Sequence, residues 1–199
     1  MQVLHADAGL VVVNKPAGLL SVPGRGVDKQ DCAVHRLQQS FPDALTVHRL
    51  DMATSGLLLF ARGAAMQRAL SLDFAERRVA KRYIALLQGW LDTGGAWAEI
   101  DLPLSADWPN RPRQQVDTET GKPSLTRYRS LAHEGNQTRV ELEPITGRSH
   151  QLRVHMLALG HAIVGDALYG GPPAPRLFLH ACHLALPTRA LSLDCPPEF

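Results

Sequence analysis

The feature that most constrains the fold is an uninterrupted apolar run at residues 56–61, with the sequence GLLLFA. A run of this length with no polar alternation is typical of a strand that is buried on both faces of a sheet. Residues 10–14 predict a second such strand, which the Lys15-Pro16 pair and a Gly/Pro-rich loop at residues 17–26 end. Both runs are far shorter than the ~20 apolar residues that a membrane-spanning helix needs.

Three segments predict helices. Residues 31–41 carry apolar side chains at helical spacing, and residues 149–159 do so as well, with Gly160 placed to end that helix. Residues 64–78 predict a third helix, whose apolar stripe we expect at Ala65, Ala69, Leu72 and Ala75.

Two further strands are predicted at residues 83–88 and 138–143, the second with apolar and charged residues in alternation. Strands therefore outnumber helices and do not alternate strictly with them. This pattern predicts the α+β class, with a mixed or largely antiparallel sheet that carries helices. No linker separates two halves of the chain, so we expect a single domain over residues 1–199.

Composition narrows the class of protein. Hydrophobic residues make up 45% and charged residues 20% of the 199 positions, which is enough apolar material for a buried core. The N-terminus lacks the pattern of a signal peptide, and the three cysteines form no CxxC pair. We therefore expect a cytoplasmic protein that has neither a disulfide scaffold nor a cysteine-rich zinc module.

Charge does not by itself indicate a nucleic-acid partner. The chain has 21 basic and 19 acidic residues, for a net charge of +2. Most of the basic residues are arginines, which suit contacts with phosphates and bases. A GC-rich coding sequence would produce the same excess, so both interpretations stay open.

A polar loop at residues 47–56, with the sequence VHRLDMATSG, directly precedes the apolar run. Its side chains must lie at the end of a sheet, where a cleft can form. The loop offers one carboxylate, Asp51, between an arginine and small hydroxyl residues. The same residues are also typical of an ordinary turn in which Asp51 caps backbone amides.

Arg and His residues cluster at residues 144–155, at the start of a predicted helix where backbone amides favour an anion. A capped helix with a polar outer face would explain them equally. His180, Cys182 and His183 could bind a metal only with ligands from elsewhere in the chain.

Two other stretches combine aromatic and basic residues. Residues 81–83, with the sequence KRY, open a predicted strand, and an aromatic beside arginines suits a flipped base. Residues 108–113, WPNRPR, could contact a phosphate backbone. A core tyrosine and a solvated basic face are the structural alternatives. No GxGxxG or GxxxxGK[ST] motif supports a nucleotide cofactor.

Taken together, these stretches make the chain similar to the RluA family of pseudouridine synthases. Four motifs carry the resemblance in the family's order: NKPAG at residues 14–18, HRLD with TSG at 48–56, KRY at 81–83, and GRSHQLRVH at 147–155. The resemblance implies a pseudouridine synthase catalytic fold with a central RNA cleft. It also implies that uridine in structured RNA is isomerised without cofactor or metal, and that no S4 RNA-binding domain is present.

The resemblance implies roles for individual residues. Asp51 is the catalytic carboxylate that acts at the sugar C1′, either by attack or by assisting elimination to a glycal. Arg153 is its ion-pair partner, and Tyr83 stacks on the base or accepts the C5 proton. The arginines implied to contact RNA are Arg49, which fills the gap left by the flipped nucleotide or holds its phosphate, and Arg25, Arg111, Arg113 and Arg148.

The implied partners are large-subunit ribosomal RNA, the anticodon stem-loop of tRNA, or both, with no membrane and no DNA, for a monomeric protein. Because the net charge is nearly neutral, we expect the acidic residues to lie away from a basic RNA surface. Two alternatives stay open: an RNA-binding assembly factor without catalysis, and a metal hydrolase that uses His150, His155, His180 and His183.

Overall fold

The computed structural model describes residues 1–199. The chain divides into two compact units, the first comprising Met1–Lys81 and His180–Glu198, and the second Arg82–Leu179 and Phe199. No helix is long and apolar enough to cross a membrane.

The first unit is built on strands that pair in the order β1, β2, β4 and β11, with β3 beside β4 and β12 beside β11. The β4–β11 pair is parallel and the others are antiparallel. The strands are β1 (Gln2–Ala6), β2 (Leu10–Lys15), β3 (Ala44–Thr46), β4 (Ser55–Arg62), β11 (Leu179–Leu186) and β12 (Leu191–Asp194).

The two apolar runs form the central strands of this unit, as predicted. Every residue of β4 from Ser55 to Ala61 is buried, and β2 is buried except at Asn14. Strand β2 extends one residue beyond its predicted end at Asn14, because it includes Lys15. Lys15 is the last residue of the strand and is fully buried.

Two α-helices accompany these strands, α1 (Ala33–Gln38) and α2 (Gly63–Ala75). The helix predicted over residues 31–41 is therefore real but shorter. The predicted apolar stripe of α2 is wrong, because Ala65, Leu72 and Ala75 face solvent and the buried residues are Leu70 and Asp73. Asp73 tolerates burial because Arg78 pairs with its carboxylate at 2.9 Å.

Gly56 allows β4 and β11 to approach each other closely. It has a φ of +109°, and a Cβ at this position would lie 2.3 Å from the carbonyl oxygen of Ala181. No other residue type fits such a contact, so glycine at this position is a structural requirement.

The second unit contains a four-stranded antiparallel arrangement in the order β5, β10, β9 and β6. A separate two-stranded hairpin, β7–β8, and one α-helix, α3, complete it. The elements are β5 (Ala80–Gln88), β6 (Ala98–Asp101), β7 (Leu104–Ala106), β8 (Gln114–Val116), β9 (Leu125–Glu134), β10 (Gln137–Pro144) and α3 (Gln151–Ala158).

The prediction of α3 is confirmed to within two residues, and Gly160 follows the helix with a φ of +84°. Such a left-handed residue is the usual end of a helix. The α+β class is likewise confirmed, because twelve strands, mostly antiparallel, accompany three α-helices. Several strands were not predicted, among them β9 and β11.

Candidate active site

Asp51 lies in the loop between β3 and β4, at the end of a buried strand, as the sequence predicts. Its side chain is partly buried, whereas the neighbouring Arg49 is exposed. The Thr54 amide donates to the Asp51 carbonyl at 3.1 Å and closes the turn that leads into β4. The loop is therefore a turn, but one that presents a carboxylate beside an exposed arginine.

Backbone hydrogen bonds hold the residues on both sides of Asp51. The Ser21 hydroxyl donates to the Leu50 carbonyl at 2.7 Å and accepts from the Leu50 amide at 3.1 Å. The Gly18 amide donates to the Met52 carbonyl at 2.8 Å. Because Ser21 is itself buried, these bonds are shielded from water and fix the path of the chain through Asp51.

Lys15 brings a buried positive charge to this loop. Its side chain is 0% exposed, and its Nζ donates to the carbonyls of Pro16, Leu19 and Met52 at 2.8–3.2 Å. Burial lowers the pKa of Lys15 to about 8, while the negative charge of Asp51 acts in the opposite direction. Lys15 and Asp51 thus interact electrostatically, and a cation supports the carboxylate from inside the protein.

His48 anchors the start of the same loop. The Leu59 amide of β4 donates to its Nε2 at 2.9 Å, so the ring carries its proton on Nδ1 and is neutral. The ring stacks on Phe74 with a centroid distance of 4.5 Å. Burial, with a smaller contribution from the charge of Lys81, lowers the pKa of His48 to about 3.

We expect His48 to make the protein sensitive to acid. As the pH falls below 6.5, the unfolded chain binds a proton on His48, whereas the folded chain does not until about pH 3. Stability is therefore lost progressively over this range. Urea unfolding at pH 7 and at pH 4 measures this loss as the difference between the two free energies of unfolding. This difference should be about 3 kcal/mol smaller for His48→Gln than for the wild type.

The glutamine amide oxygen can still accept from Leu59, so this variant removes the titration and keeps the anchor. His35→Gln, at an exposed position of α1, is the matched control and should retain the wild-type pH dependence. An unchanged pH dependence in His48→Gln would contradict the prediction.

Tyr83 lies near the start of β5 and is partly buried. It stands opposite Leu142 of β10, which in turn stands opposite Tyr128 of β9. Side chains that are directly opposite in a sheet share a face. This is also the face of Thr126, which helix α3 contacts through His155 at 2.9 Å, so Tyr83 and α3 lie on one side of these strands.

Arg153 is buried in α3 and pairs with Asp166. Its Nε and Nη2 donate to the two carboxylate oxygens at 2.7 Å each. Asp166 is 1% exposed and also accepts from the amides of Leu168 and Tyr169 at 3.2 Å. The sequence did not single out Asp166. A guanidinium has five N–H donors, so this pair leaves the predicted role of Arg153 beside Asp51 open as a prediction.

Three of the arginines predicted to contact RNA are exposed and belong to different loops. Arg25 precedes a short 3-10 helix at Val27–Lys29, Arg49 precedes Asp51, and Arg148 precedes α3. The Arg148 Nε donates to the Pro123 carbonyl at 3.3 Å. Their exposure is compatible with phosphate contacts, which stay a prediction.

The other two predicted RNA contacts, Arg111 and Arg113, belong to the loop between β7 and β8. Arg111 is exposed and lies over the ring of Trp108, 3.2 Å from its centroid. Arg113 is partly buried, over the ring of Tyr169 at 5.4 Å. Exposure therefore favours Arg111 as an RNA contact more than Arg113.

The histidines considered for a metal site all have other hydrogen-bonding contacts. No group of three or more His, Cys, Asp or Glu side chains is arranged to hold a metal ion. The ring nitrogen of His150 contacts Tyr169, and that of His183 contacts Asp194. His155 contacts Thr126 and the Leu102 carbonyl, and His180 contacts Ser55 and the Cys195 carbonyl.

Sequence comparison matches residues 9–158 to the model of a protein family described as RNA pseudouridylate synthase. A dual-specificity RNA pseudouridine synthase RluA from Shigella flexneri is 52% identical and covers 99% of this chain and 93% of its own length. The protein of the same name from Pasteurella multocida is 49% identical, over 100% of this chain and 94% of its own.

Solved structures with the same fold agree with these matches. The structure titled human RNA pseudouridylate synthase domain containing 1 superimposes with a TM-score of 0.83 at 31% identity, over 100% of this chain and 84% of its own. The human domain containing 4 has a TM-score of 0.77 at 27% identity, over 99% of this chain and 89% of its own.

Proposed function

The chain belongs to the RNA pseudouridylate synthase family, and from this we propose that it converts one uridine in large-subunit ribosomal RNA and one in the anticodon stem-loop of tRNA to pseudouridine. The proposal rests on the near-full-length similarity to relatives named dual-specificity RNA pseudouridine synthases. A protein that reads the shape of an RNA loop more than its base sequence can serve two such substrates.

We propose that Asp51 carries the chemistry. The uridine first leaves the base stack, which costs a few kcal/mol. The ionised carboxylate then attacks C1′, or assists elimination to a glycal, and the N1–C1′ bond breaks. The detached uracil turns and bonds to C1′ through C5, as the Asp51–C1′ bond breaks or as the glycal regains its C2′ proton. The C5 proton is then lost and N1 gains a proton from solvent. The buried cation of Lys15 supports this role because its positive charge interacts electrostatically with Asp51.

Tyr83 and Arg153 are proposed to act on the same nucleotide as Asp51. The resemblance assigns Tyr83 to stacking on the base and Arg153 to pairing with Asp51. The rigid pair of Arg153 with Asp166 supports a positioning role, because a guanidinium held in one orientation can orient a carboxylate. Arg25, Arg49, Arg111, Arg113 and Arg148 are proposed to contact the RNA.

Replacing Tyr83 by phenylalanine tests what the hydroxyl does. A phenyl ring retains the stacking surface, so we expect RNA binding to stay within about twofold of the wild type. Stacking as the main role predicts a turnover rate within about tenfold of the wild type. A rate loss above about a hundredfold at unchanged RNA affinity would instead assign the C5 proton to the hydroxyl.

We also propose that the protein acts as a monomer in the cytoplasm, where both RNAs occur, and that residues 1–199 act as a single catalytic domain. The family match at residues 9–158 draws on both structural units, which supports one function for the whole chain. Light scattering of the purified protein tests the oligomeric state.

The function is tested by tritium release from RNA that carries tritium at C5 of uridine. We expect release from large-subunit ribosomal RNA and from tRNA at a catalytic amount of enzyme. Release from one RNA only would limit the specificity to that RNA. Binding of both RNAs without any release would favour the RNA-binding assembly factor over the enzyme.

A further inference from the structure

The loop between β7 and β8 displays an aromatic ring that protein packing does not use. Trp108 is 69% exposed, although tryptophan is usually largely covered. Arg111 lies over one face of its ring at 3.2 Å from the centroid. Because most of the side chain is nevertheless exposed, the opposite face of the ring is open to solvent.

This loop holds its shape through its own hydrogen bonds. The Asp107 amide donates to the Arg113 carbonyl at 3.0 Å, and the Arg113 amide donates to the Asn110 carbonyl at 3.1 Å. The Asn110 side-chain amide donates to both carboxylate oxygens of Asp107 at 3.0 Å. Trp108 is therefore presented by an ordered loop, and little conformational entropy is lost when a ligand stacks on it.

The charges around Trp108 distinguish it from the other two tryptophans. The arginines over Trp97, Arg127 and Arg129, are neutralised by Glu143 and Glu141. Arg111 is paired with no carboxylate, and the Asp107 carboxylate is bonded to Asn110. An anion can therefore reach the cation beside Trp108.

Trp90 has similar exposure, 64%, but a different setting. Its ring stacks on His133 with a centroid distance of 3.5 Å. The neighbour of Trp90 is therefore an imidazole ring, whereas that of Trp108 is the guanidinium of Arg111. Asp92 follows two residues later in the chain and is exposed. An anionic ligand would be attracted to Trp108 and repelled near Trp90.

We propose that Trp108 is a stacking platform for an unpaired base of the substrate RNA, and that Arg111 binds the adjoining phosphate. A planar apolar face next to a permanent cation matches a nucleotide, which combines an aromatic base with an anionic phosphate. The inference rests on the proposed function, since it assumes an RNA substrate. It adds a contact that the reaction chemistry does not require and that serves to hold the RNA.

Kinetics with the tritium-labelled tRNA anticodon stem-loop test the platform. Trp108→Ala should raise KM about tenfold and leave kcat unchanged, as expected for one lost base stack. Trp108→Phe should retain most of the affinity, because phenylalanine still offers an aromatic face. Trp90→Ala is the matched control for loss of an exposed tryptophan and should leave KM within about twofold of the wild type.

Two further measurements separate stacking from a change in folding. In a variant with Trp90→Phe and Trp97→Phe, Trp108 is the only tryptophan, and binding of the unlabelled stem-loop should quench its fluorescence. Arg111→Ala should weaken RNA binding. It should also reduce the slope of log Kd against log salt concentration by about one, as expected for the loss of one phosphate contact.

The proposal is overturned if Trp108→Ala has the same KM as Trp90→Ala, or if RNA binding leaves the Trp108 emission unchanged. Failure of the enzyme assignment has a different signature, because the wild-type protein itself would then release no tritium. If the wild type is active and Trp108→Ala leaves KM unchanged, the stacking proposal is refuted while the enzyme assignment stands.

Discussion

Replacing Asp51 by asparagine is expected to lower the rate of tritium release by at least about a thousandfold, the loss typical of removing an essential group in covalent or charge-based catalysis. The amide has the shape of the carboxylate but carries no negative charge. It can neither attack C1′ nor stabilise the positive charge that develops there. Turnover with saturating RNA is the measurement.

The Asp51→Asn protein should fold and bind RNA. The bonds that shape its loop involve the backbone of Leu50 and Met52, which Ser21, Gly18 and Lys15 hold. RNA affinity within about threefold of the wild type is therefore expected. Asp43→Asn, at an exposed acid in the same unit, is the matched control and should retain full activity. Turnover by Asp51→Asn near the wild-type rate would remove Asp51 as the catalytic group.

The parts of the fold that could be predicted are those with local apolar signals. β2 and β4 are uninterrupted apolar runs because both of their faces are covered. β9 could not be predicted in this way, because its most buried positions are the hydroxyl residues Thr126 and Ser130. The hydrogen-bond partners of these hydroxyls, His155 and Thr93, lie far away in the chain, so only the tertiary structure makes these polar residues suitable for burial.

The loop of Asp51 was predictable for a related reason: a polar segment before a buried strand must lie at a sheet end. What holds the loop was not. Lys15 is a charged residue followed by a proline, which suggests that the strand ends before it. It is nevertheless buried, because three backbone carbonyls accept hydrogen bonds from its Nζ. Ser21 is one of many serines in the sequence, and only its position opposite Leu50 distinguishes it.

The carboxylate that pairs with Arg153 is the clearest example of a partner that a motif does not reveal. The resemblance assigns Arg153 to Asp51, which stays a prediction, and the structure adds Asp166 as a second carboxylate paired with the same guanidinium. The only trace of this arrangement in the sequence is the glycine before Asp166. The structure explains it, because a Cβ at Gly165 would lie 1.8 Å from the Arg176 carbonyl oxygen. Such a glycine indicates a tight turn at Asp166, but which cation the turn meets depends on the packing of α3.

Breaking the Arg153–Asp166 pair is expected to be the most destabilising change at the site. Both side chains are nearly inaccessible, 7% and 1% exposed, so removing one leaves the other charged in a poorly solvated place. Asp166→Asn should lower the free energy of unfolding by about 3–5 kcal/mol. Asparagine keeps one oxygen for the Leu168 and Tyr169 amides, so the loss reports mainly on the guanidinium.

The exposed pair of Arg36 and Asp31 provides the control, because it has the same two-bond geometry at 2.6 and 2.7 Å. Its side chains are 48% and 65% exposed, and water can replace either partner. Asp31→Asn should therefore leave the urea midpoint of unfolding almost unchanged. Urea unfolding of both variants compares the buried pair with the exposed pair at the same hydrogen-bond geometry. Equal losses would mean that burial does not govern the strength of the Arg153–Asp166 pair.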